Sequence, residues 1–280
     1  MRPLSMLYYG GPGAGKTELA VSSFWDFKTR KQIRRGRLLS FGRETNPAVL
    51  DQLPPETVIR FTSPSTPARA MEFVTEFRKY MDVLLKAVGT EQAIESIVFD
   101  GFSEWNAIYQ AAFDRRYPDG DKWAKWEAMK REFINTMQLL DPESIGAYVL
   151  GTARVDRFKK PIQDKKGQTL VQGDADMFSD FKYIPQMSGW TRDNLGHYFN
   201  FVLYMEEEVI TGRLEGDKAE RRVPQHLTYM LPVGDFWIKN SYEREWLRAK
   251  HPDHLTNISF DGILDLLTAA NAATTRGESK

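Results

Sequence analysis

The sequence predicts an α/β fold in which a mostly parallel central sheet is flanked by helices and continues into an antiparallel C-terminal extension. Three features favour this fold. Short apolar runs alternate with amphipathic segments over the first half of the chain, as in parallel strands joined by helical crossovers. A glycine-rich turn directly follows the first apolar run. Beyond residue 198 the apolar runs alternate with polar residues and are separated by turns.

The composition sets limits on size and partners. The chain has 280 residues, with 38 basic and 38 acidic side chains and no cysteine. This length suits one large domain. The absence of cysteine excludes disulfides and thiolate metal sites and fits a cytoplasmic protein. We expect no signal peptide and no membrane partner, because no apolar run reaches the roughly 20 residues that cross a bilayer. Because the net charge is near zero, any contact with nucleic acid must come from local basic patches.

The first element is the apolar stretch LSMLYY, residues 4–9, which predicts a buried strand. It runs into GGPGAGKT, residues 10–17, which fits the pattern G-x-x-x-x-G-K-[ST]. Glycines let successive backbone N–H groups point at phosphate oxygens without Cβ clashes. The following segment, residues 16–27, predicts a helix whose positive end adds to this attraction. The alternative is a chance glycine-rich turn, which the strand before it and the helix after it disfavour.

This turn predicts a binding site for the phosphates of a nucleotide. Lys16 would reach the β- and γ-phosphates and so serve both binding and catalysis, and Thr17 would place its hydroxyl on Mg²⁺. The predicted cofactors are ATP and Mg²⁺, with adenine inferred only from the class of protein. The residues predicted to surround the nucleotide are Gly11, Pro12, Gly13, Ala14, Gly15, Lys16, Thr17 and Glu18.

A carboxylate is expected to complete the metal site. The run SIVFD, residues 96–100, predicts a buried strand that ends at Asp100. Asp100 would coordinate Mg²⁺ or accept a hydrogen bond from a metal-bound water. The alternative is an aspartate that only caps the next helix.

Hydrolysis also needs a group that orients or deprotonates the attacking water. Gly101 follows Asp100, so the glutamate that AAA and ABC ATPases carry directly after the metal-binding aspartate is absent. The sequence also lacks an N/T-K-x-D element for guanine. The stretch RLLSFGRE, residues 37–44, instead predicts a strand that brings Glu44 to the same sheet edge as Asp100. The alternative for Glu44 is a surface residue that opens a loop.

The remaining segments continue the alternation of strands and helices. Residues 57–61 predict a short strand, and residues 68–88 an amphipathic helix with apolar residues at helical spacing. Residues 123–140 predict another helix, ended by Asp-Pro. The stretch SIGAYVLGTAR, residues 144–154, then predicts a central strand that ends at Thr152. We divide the chain into a core, residues 1–198, and an extension of the same sheet with a C-terminal helix, residues 199–280, in one structural domain.

The stretches MLYYGGPGAGKTELA, LLSFGRE, SIVFDGFSEW and YVLGTAR together resemble the RecA-like P-loop NTPases encoded by bacteriophages, often called phage nucleotide-binding proteins. One branch of that family works with single-strand annealing and recombination systems. The resemblance covers about the first 155 residues. It implies a catalytic glutamate at Glu44, a metal-binding aspartate at Asp100 and a phosphate-sensing residue at Thr152. The sequence departs from the family pattern at two places. FGRE replaces the usual acidic pair before the glutamate, and Thr152 stands where RecA itself has glutamine.

The resemblance also implies that loops after the Asp100 and Thr152 strands hold single-stranded DNA along the axis of an oligomer. Basic side chains would contact phosphates while aromatic rings stack on bases. One candidate segment is residues 114–126, which mixes arginines, lysines and tryptophans. The other follows Thr152. The alternatives are tryptophans in the core and a solvated hairpin. The basic residues after Thr152 are Arg157, Lys159, Lys160, Lys165 and Lys166.

The stretch FWIKNSYEREW resembles the final strand of the same family, and its Lys239 is a candidate to reach the γ-phosphate of a neighbouring subunit. The alternative for Lys239 is ordinary surface charge.

These features predict a Mg-dependent ATPase that acts on single-stranded DNA in phage recombination or replication, in the host cytoplasm if a phage encodes it. It would form a homo-oligomer, a ring or filament, with single-strand binding or annealing proteins as further partners. The alternative is a nucleotide-dependent assembly or regulatory protein that contacts proteins rather than DNA. A small-molecule kinase is less favoured, since no arginine-rich lid segment is present.

Overall fold

The structure is a computed structural model. It describes residues 2–42, 45–64, 66–86, 90, 93–117, 122–157, 183–187, 189–212, 221–231, 238–240 and 254–275.

Strands and helices alternate along these residues. The strands are β1 (Ser5–Gly10), β2 (Trp25–Asp26), β3 (Lys31–Gln32), β4 (Gly36–Phe41), β5 (Val58–Phe61), β6 (Ser96–Asp100), β7 (Tyr148–Arg157), β8 (Tyr183–Pro185), β9 (Phe201–Gly212), β10 (Arg221–Tyr229), β11 (Lys239–Asn240) and β12 (His254–Thr256). The helices are α1 (Lys16–Val21), α2 (Pro47–Leu50), α3 (Pro67–Lys86), α4 (Phe102–Arg116), α5 (Lys122–Leu139), α6 (Pro142–Ile145), α7 (Gly189–Tyr198) and α8 (Phe260–Thr275). None of these helices is long and apolar enough to cross a membrane.

One sheet connects most of the strands. Its main path has the order β12-β10-β9-β1-β7-β6-β4-β5, with β8 paired to β7 and β11 to β9. The six strands from β9 to β5 are parallel to one another, whereas β10 is antiparallel to both of its neighbours, β9 and β12. This confirms the predicted α/β class with a mostly parallel sheet and antiparallel C-terminal strands. Because β7 lies between β1 and β6, Thr152 is opposite both Tyr8 and Asp100.

Helices cover both faces of the sheet. A Cβ built on Gly151 would meet Phe102 of α4, so that side of β7 faces α4. The next residue, Thr152, faces the side of α1, since side chains alternate along a strand. Helix α8 joins α1 on this side, where the Phe260 N–H donates to Ser22 Oγ at 2.9 Å. Right-handed crossovers explain why α1 and α4 lie on opposite faces.

The core on the α3 and α4 face is largely aromatic. The apolar positions predicted for α3 are confirmed as core residues, because Val74, Phe77, Met81 and Leu84 are buried. Phe77 packs edge-on against Phe99 of β6 at a centroid distance of 5.7 Å. This packing anchors β6, and therefore Asp100 at its end.

Two boundaries differ from the predicted ones. Helix α1 ends at Val21 rather than near residue 27, because the chain turns there into a ribbon formed by β2 and β3. Ser23 Oγ lies 2.6 Å from Ser96 Oγ, and Phe24 fills the space beside Gly36, which ties this turn to the sheet. In addition, β9 is parallel to β1, so the antiparallel part begins with β10 and not at residue 199.

Candidate functional site

The glycine-rich turn lies at the carboxyl edge of the sheet, between β1 and α1. Gly13 and Gly15 have φ angles of +80° and +78°, a region that favours glycine. A Cβ on Gly13 would lie 2.5 Å from Oε2 of the exposed Glu207 side chain, which can move aside, and one on Gly15 would lie 2.8 Å from His226 Cγ. Backbone conformation therefore favours glycine at both positions, and packing against the His226 ring also requires it at Gly15.

Lys16 lies over this turn. Its Nζ donates to the carbonyl oxygens of Gly10 at 3.0 Å and of Gly11 at 2.6 Å. The ammonium group is therefore placed at the loop that the sequence predicts to bind phosphates.

Asp100 is joined to the turn through Thr17 and to β7 through Thr152. Its Oδ1 accepts hydrogen bonds from Thr17 Oγ1 at 2.9 Å and from Thr152 Oγ1 at 2.5 Å. The Gly101 N–H donates to Thr152 Oγ1 at 3.0 Å. Asp100 is 1% exposed, and its Oδ2 has no hydrogen-bond partner among the described residues. A buried carboxylate oxygen without a partner carries a desolvation cost that a bound cation would remove.

The residues present fit Mg²⁺. Asp100 and the Thr17 hydroxyl supply hard oxygen ligands, and Mg²⁺ takes most of its remaining ligands from water and substrate phosphates. The described part of the chain holds no group of three or more His, Cys, Asp or Glu side chains that could bind a metal. A site that depends on few protein ligands is consistent with Mg²⁺ rather than with a closed structural metal centre.

The structure brings together four of the residues predicted from the sequence, Lys16, Thr17, Asp100 and Thr152. Glu44 lies outside the described residues, as do Lys159, Lys160, Lys165 and Lys166. Arg157 is the last residue of β7.

Lys239 lies at the opposite end of the sheet. It pairs with Val202 near the start of β9, whereas the glycine turn follows the end of β1. Its Nζ donates to the carbonyl oxygens of Gly196 and, at 2.6 Å, of Phe199. Burial lowers the pKa of this lysine. Lys239 therefore caps the C-terminal end of α7, and its role toward a neighbouring subunit stays a prediction.

Sequence reasoning missed an ion pair beside the site. Arg154 follows Thr152 by two residues on β7, and its Nη2 lies 3.5 Å from Glu104 Oε2 in α4. Ser63 Oγ donates to the other oxygen of Glu104 at 2.5 Å. The arginine that ends GTAR was the available signal, because a cation at the end of a central parallel strand lies at the ligand-binding edge.

Sequence reasoning also missed the contact of the β9–β10 hairpin with the glycine turn. Glu207 and His226 are directly opposite each other in this hairpin. They contact Gly13 and Gly15, respectively. The acidic run MEEEV marked this segment as unusual but did not show where it packs.

The tryptophans of the segment 114–126 lie at the surface. Trp123 is 81% exposed and Trp126 is 36% exposed. Lys125 Nζ lies 4.9 Å from the centre of the Trp126 ring and forms an ion pair with Asp114. The alternative that Trp123 belongs to the core is therefore wrong.

The glycine turn, Lys16, Thr17, Asp100 and Thr152 thus form one continuous site at the carboxyl edge of the sheet. Its geometry suits an anion on the turn and a cation at Asp100. Comparison with protein-family models and with curated proteins finds no significant match to this chain.

Proposed function

We propose that the protein is a Mg-dependent ATPase of the bacteriophage RecA-like P-loop class. One observation carries the proposal: the buried Asp100 accepts a hydrogen bond from Thr17, the residue that directly follows the lysine of the glycine turn. This contact joins a predicted phosphate site to a predicted metal site. Asp100 Oδ2, which has no partner among the described residues, supplies the position for the cation.

Each residue has a distinct role in this proposal. Backbone N–H groups of the turn bind phosphate oxygens, and Lys16 Nζ exchanges its carbonyl partners for the β- and γ-phosphates. Thr17 and Asp100 hold Mg²⁺, which neutralises the charge that develops on the phosphates. Thr152 bonds to Asp100 and accepts from the Gly101 N–H, so it transmits a change at Asp100 to the start of α4. Glu44 is the proposed water-orienting residue.

Calorimetry with Mg-ATP, together with an assay for phosphate release, tests the proposal. We expect binding and hydrolysis by the full chain. Glu44→Gln should keep ATP bound and stop hydrolysis. Hydrolysis by Glu44→Gln at the parental rate would show that another residue orients the water. The absence of any Mg-ATP binding would refute the proposed function.

We propose single-stranded DNA as the partner of a homo-oligomeric form. The exposed Trp123, with the partly exposed Trp126 one turn away on α5, is a surface that suits base stacking. Loss of one stacked base costs about 1–3 kcal/mol, so Trp123→Ala should weaken binding roughly 5- to 150-fold. Filter binding of oligonucleotides at several salt concentrations measures this, and unchanged affinity would argue against this surface.

The second candidate function is a nucleotide-dependent assembly protein that contacts proteins, since an exposed Trp123 also suits a protein interface. Charge reversal at Lys159, Lys160, Lys165 and Lys166 distinguishes the two functions. Only a DNA-binding protein should lose DNA affinity and the salt dependence of that affinity.

A further inference from the structure

Arg154 lies beside the glycine turn at the carboxyl edge of the sheet. It is directly opposite Gly10 in the pairing of β7 with β1, and Lys16 Nζ donates to the Gly10 carbonyl oxygen at 3.0 Å. Hydrogen bonds hold the backbone of Arg154 in place. Its N–H donates to Ser103 Oγ at 2.9 Å, and its carbonyl oxygen accepts from the Gln186 N–H at 2.8 Å. The ammonium group of Lys16 and the base of the Arg154 side chain are therefore neighbours.

The Arg154 side chain crosses the end of β6, the strand that carries Asp100. Its Nη2 lies 3.5 Å from Glu104 Oε2. Glu104 lies against the end of β4, since a Cβ built on Gly42, directly after β4, would be 2.9 Å from Glu104 Cγ. Because β6 pairs with β7 on one side and with β4 on the other, the ion pair spans the carboxyl end of β6. The guanidinium group is therefore on the same edge as the predicted metal and phosphate sites.

The ion pair is loose enough for Arg154 to exchange its partner. The 3.5 Å separation exceeds the roughly 2.7–2.9 Å of a charge-assisted hydrogen bond, and 52% of the Arg154 side chain is exposed. Ion pairs with such exposure contribute little to stability. Glu104 keeps a partner if Arg154 moves away, because Ser63 Oγ donates to its other oxygen at 2.5 Å. An anion of higher charge can therefore compete with Glu104 for the guanidinium group.

The charges at the carboxyl edge favour a further cation at the phosphates. Lys16 and Asp100 have opposite charges, so together they do not balance the negative charge of Mg-ATP. Arginine suits this position, because its planar fork can donate two hydrogen bonds to one phosphoryl group. Lys239, the cation that the sequence predicts for a γ-phosphate, lies at the opposite end of the sheet. Arg154 lies at the edge where the phosphates are expected.

We propose that Arg154 is a further catalytic residue of the proposed ATPase. When Mg-ATP binds, the guanidinium group leaves Glu104 and donates to oxygens of the γ-phosphate. Glu104 is a positioning residue, which holds the arginine across the end of β6 before the nucleotide arrives. The inference rests on the proposed function, because the glycine turn must hold the phosphates for the γ-phosphate to come within reach of Arg154.

Arg154 stabilises charge in this reaction and forms no covalent bond. In hydrolysis the oxygen of a water molecule bonds to the γ-phosphorus, and the bond from this phosphorus to the bridging oxygen breaks. The bridging oxygen keeps the electron pair and leaves as part of ADP. One proton of the water stays on the phosphate product, and the other is released. An arginine that donates to the γ-phosphoryl oxygens in the transition state supplies about 10³- to 10⁵-fold in rate in other phosphoryl-transfer enzymes.

Arg154→Gln tests the contact with the γ-phosphate. We expect kcat for hydrolysis of Mg-ATP to fall at least about a hundredfold, because the variant lacks the charge that stabilises the transition state. Affinity for Mg-ADP, which has no γ-phosphate, should stay unchanged, so the ratio of the two dissociation constants should shift against Mg-ATP. Phosphate release and calorimetry with both nucleotides measure these effects.

Arg2→Gln is the matched control. Arg2 precedes β1, and its Nη1 lies 3.6 Å from Glu143 Oε1 in another exposed ion pair, at the amino edge of the sheet. This variant should hydrolyse Mg-ATP at the parental rate. Hydrolysis by Arg154→Gln at the parental rate, or an equal loss of affinity for Mg-ATP and Mg-ADP, would overturn the inference. A parent protein that binds neither nucleotide would instead refute the proposed function.

Glu104→Gln tests the exchange of partners while Arg154 stays intact. Removal of the competing charge should tighten Mg-ATP binding, by up to about fivefold, and leave Mg-ADP binding unchanged. The same change made in Arg154→Gln should leave Mg-ATP affinity unaltered, a dependence that a merely structural role of Glu104 would not produce. Unchanged or weaker Mg-ATP binding by Glu104→Gln, or an equal effect in both backgrounds, would overturn the inference.

Discussion

The two edges of the sheet each hold a lysine whose ammonium group donates to two backbone carbonyl oxygens. At the carboxyl edge, Lys16 bonds to Gly10 and Gly11. At the amino edge, Lys239 bonds to Gly196 and Phe199. The bonding of the two ammonium groups is therefore alike, although the sequence predicted a role at a phosphate for both.

The surroundings of the two lysines differ. Beside Lys16 lie glycines with positive φ, the Asp100 carboxylate with an oxygen that lacks a partner among the described residues, and a cavity of about 610 Å³. Lys239 lines a smaller cavity of about 260 Å³ and binds carbonyls at the end of α7. Those terminal carbonyls have no helical N–H to accept from. Within the described chain Lys239 therefore stabilises the end of α7, and we expect the partners of Lys16 to give way to a ligand.

The largest expected effect concerns binding at Lys16. Lys16→Met should weaken Mg-ATP binding at least about a hundredfold, because two charge-assisted hydrogen bonds to phosphate contribute roughly 3 kcal/mol or more. Lys239→Met should leave the dissociation constant unchanged. Calorimetry on both variants measures this contrast. Equal losses of affinity would mean that Lys239 also belongs to the nucleotide site.

A second contrast concerns two carboxylates and magnesium. Asp100→Asn should remove most of the gain in ATP affinity that Mg²⁺ provides, since the variant lacks the charge that binds the cation. Asp141→Asn is the matched control. Asp141 caps α6 at the amino edge by accepting from the Ser144 N–H at 3.0 Å, and asparagine caps equally well. Titrations with and without Mg²⁺ check this, and a full Mg²⁺ effect in Asp100→Asn would argue against the metal site.

A third contrast concerns stability. Here we expect the larger loss at Lys239 and the smaller one at Lys16. Lys239→Met should lower the free energy of unfolding by about 1–3 kcal/mol, because it leaves the end of α7 without its donor. Lys16→Met should lower it by less, about 1 kcal/mol, because Gly11 lies in the partly exposed turn and its carbonyl can bond to water instead. Urea unfolding of both variants without nucleotide measures these values. A larger loss in Lys16→Met would contradict the structural assignment.

The smallest expected effect is a pH dependence at Lys239. Burial lowers the pKa of Lys239 in the folded protein, so the unfolded chain binds more protons between that lowered pKa and about 10.5. Stability relative to Lys239→Met should therefore rise with pH across this window. Urea unfolding of the parent and the variant at several alkaline pH values tests the direction. A falling difference would show that the charged form is the one the fold favours.

Much of the site was predictable because its signals are local. The pattern GGPGAGKT, with a strand before it and a helix after it, predicted the turn and the place of Lys16 and Thr17. The apolar run that ends at Asp100 predicted a buried strand, and Asp100 is indeed at its end. These predictions depend on backbone preferences and on the alternation of apolar and polar residues over a few positions. Both can be read directly from the sequence.

Other features depend on contacts between distant segments. Helix α1 ends early where the chain turns into the β2–β3 ribbon, and the bond between Ser23 and Ser96, residues that are far apart in the chain, holds this turn against the sheet. The exposure of Trp123 and the capping role of Lys239 likewise depend on which neighbours the fold brings to them. Composition and spacing carry no information on such neighbours.

By itself, the sequence determined that a strand, a glycine turn and a helix follow one another at this place, because glycine conformations and apolar periodicity act over short stretches of chain. Only the tertiary structure decided that Thr17 and Thr152 both bond to Asp100, and that Glu207 and His226 lie against the turn. The physical reason is strand pairing. Packing over the whole core sets the order of strands in the sheet. This order determines which side chains lie together at the carboxyl edge.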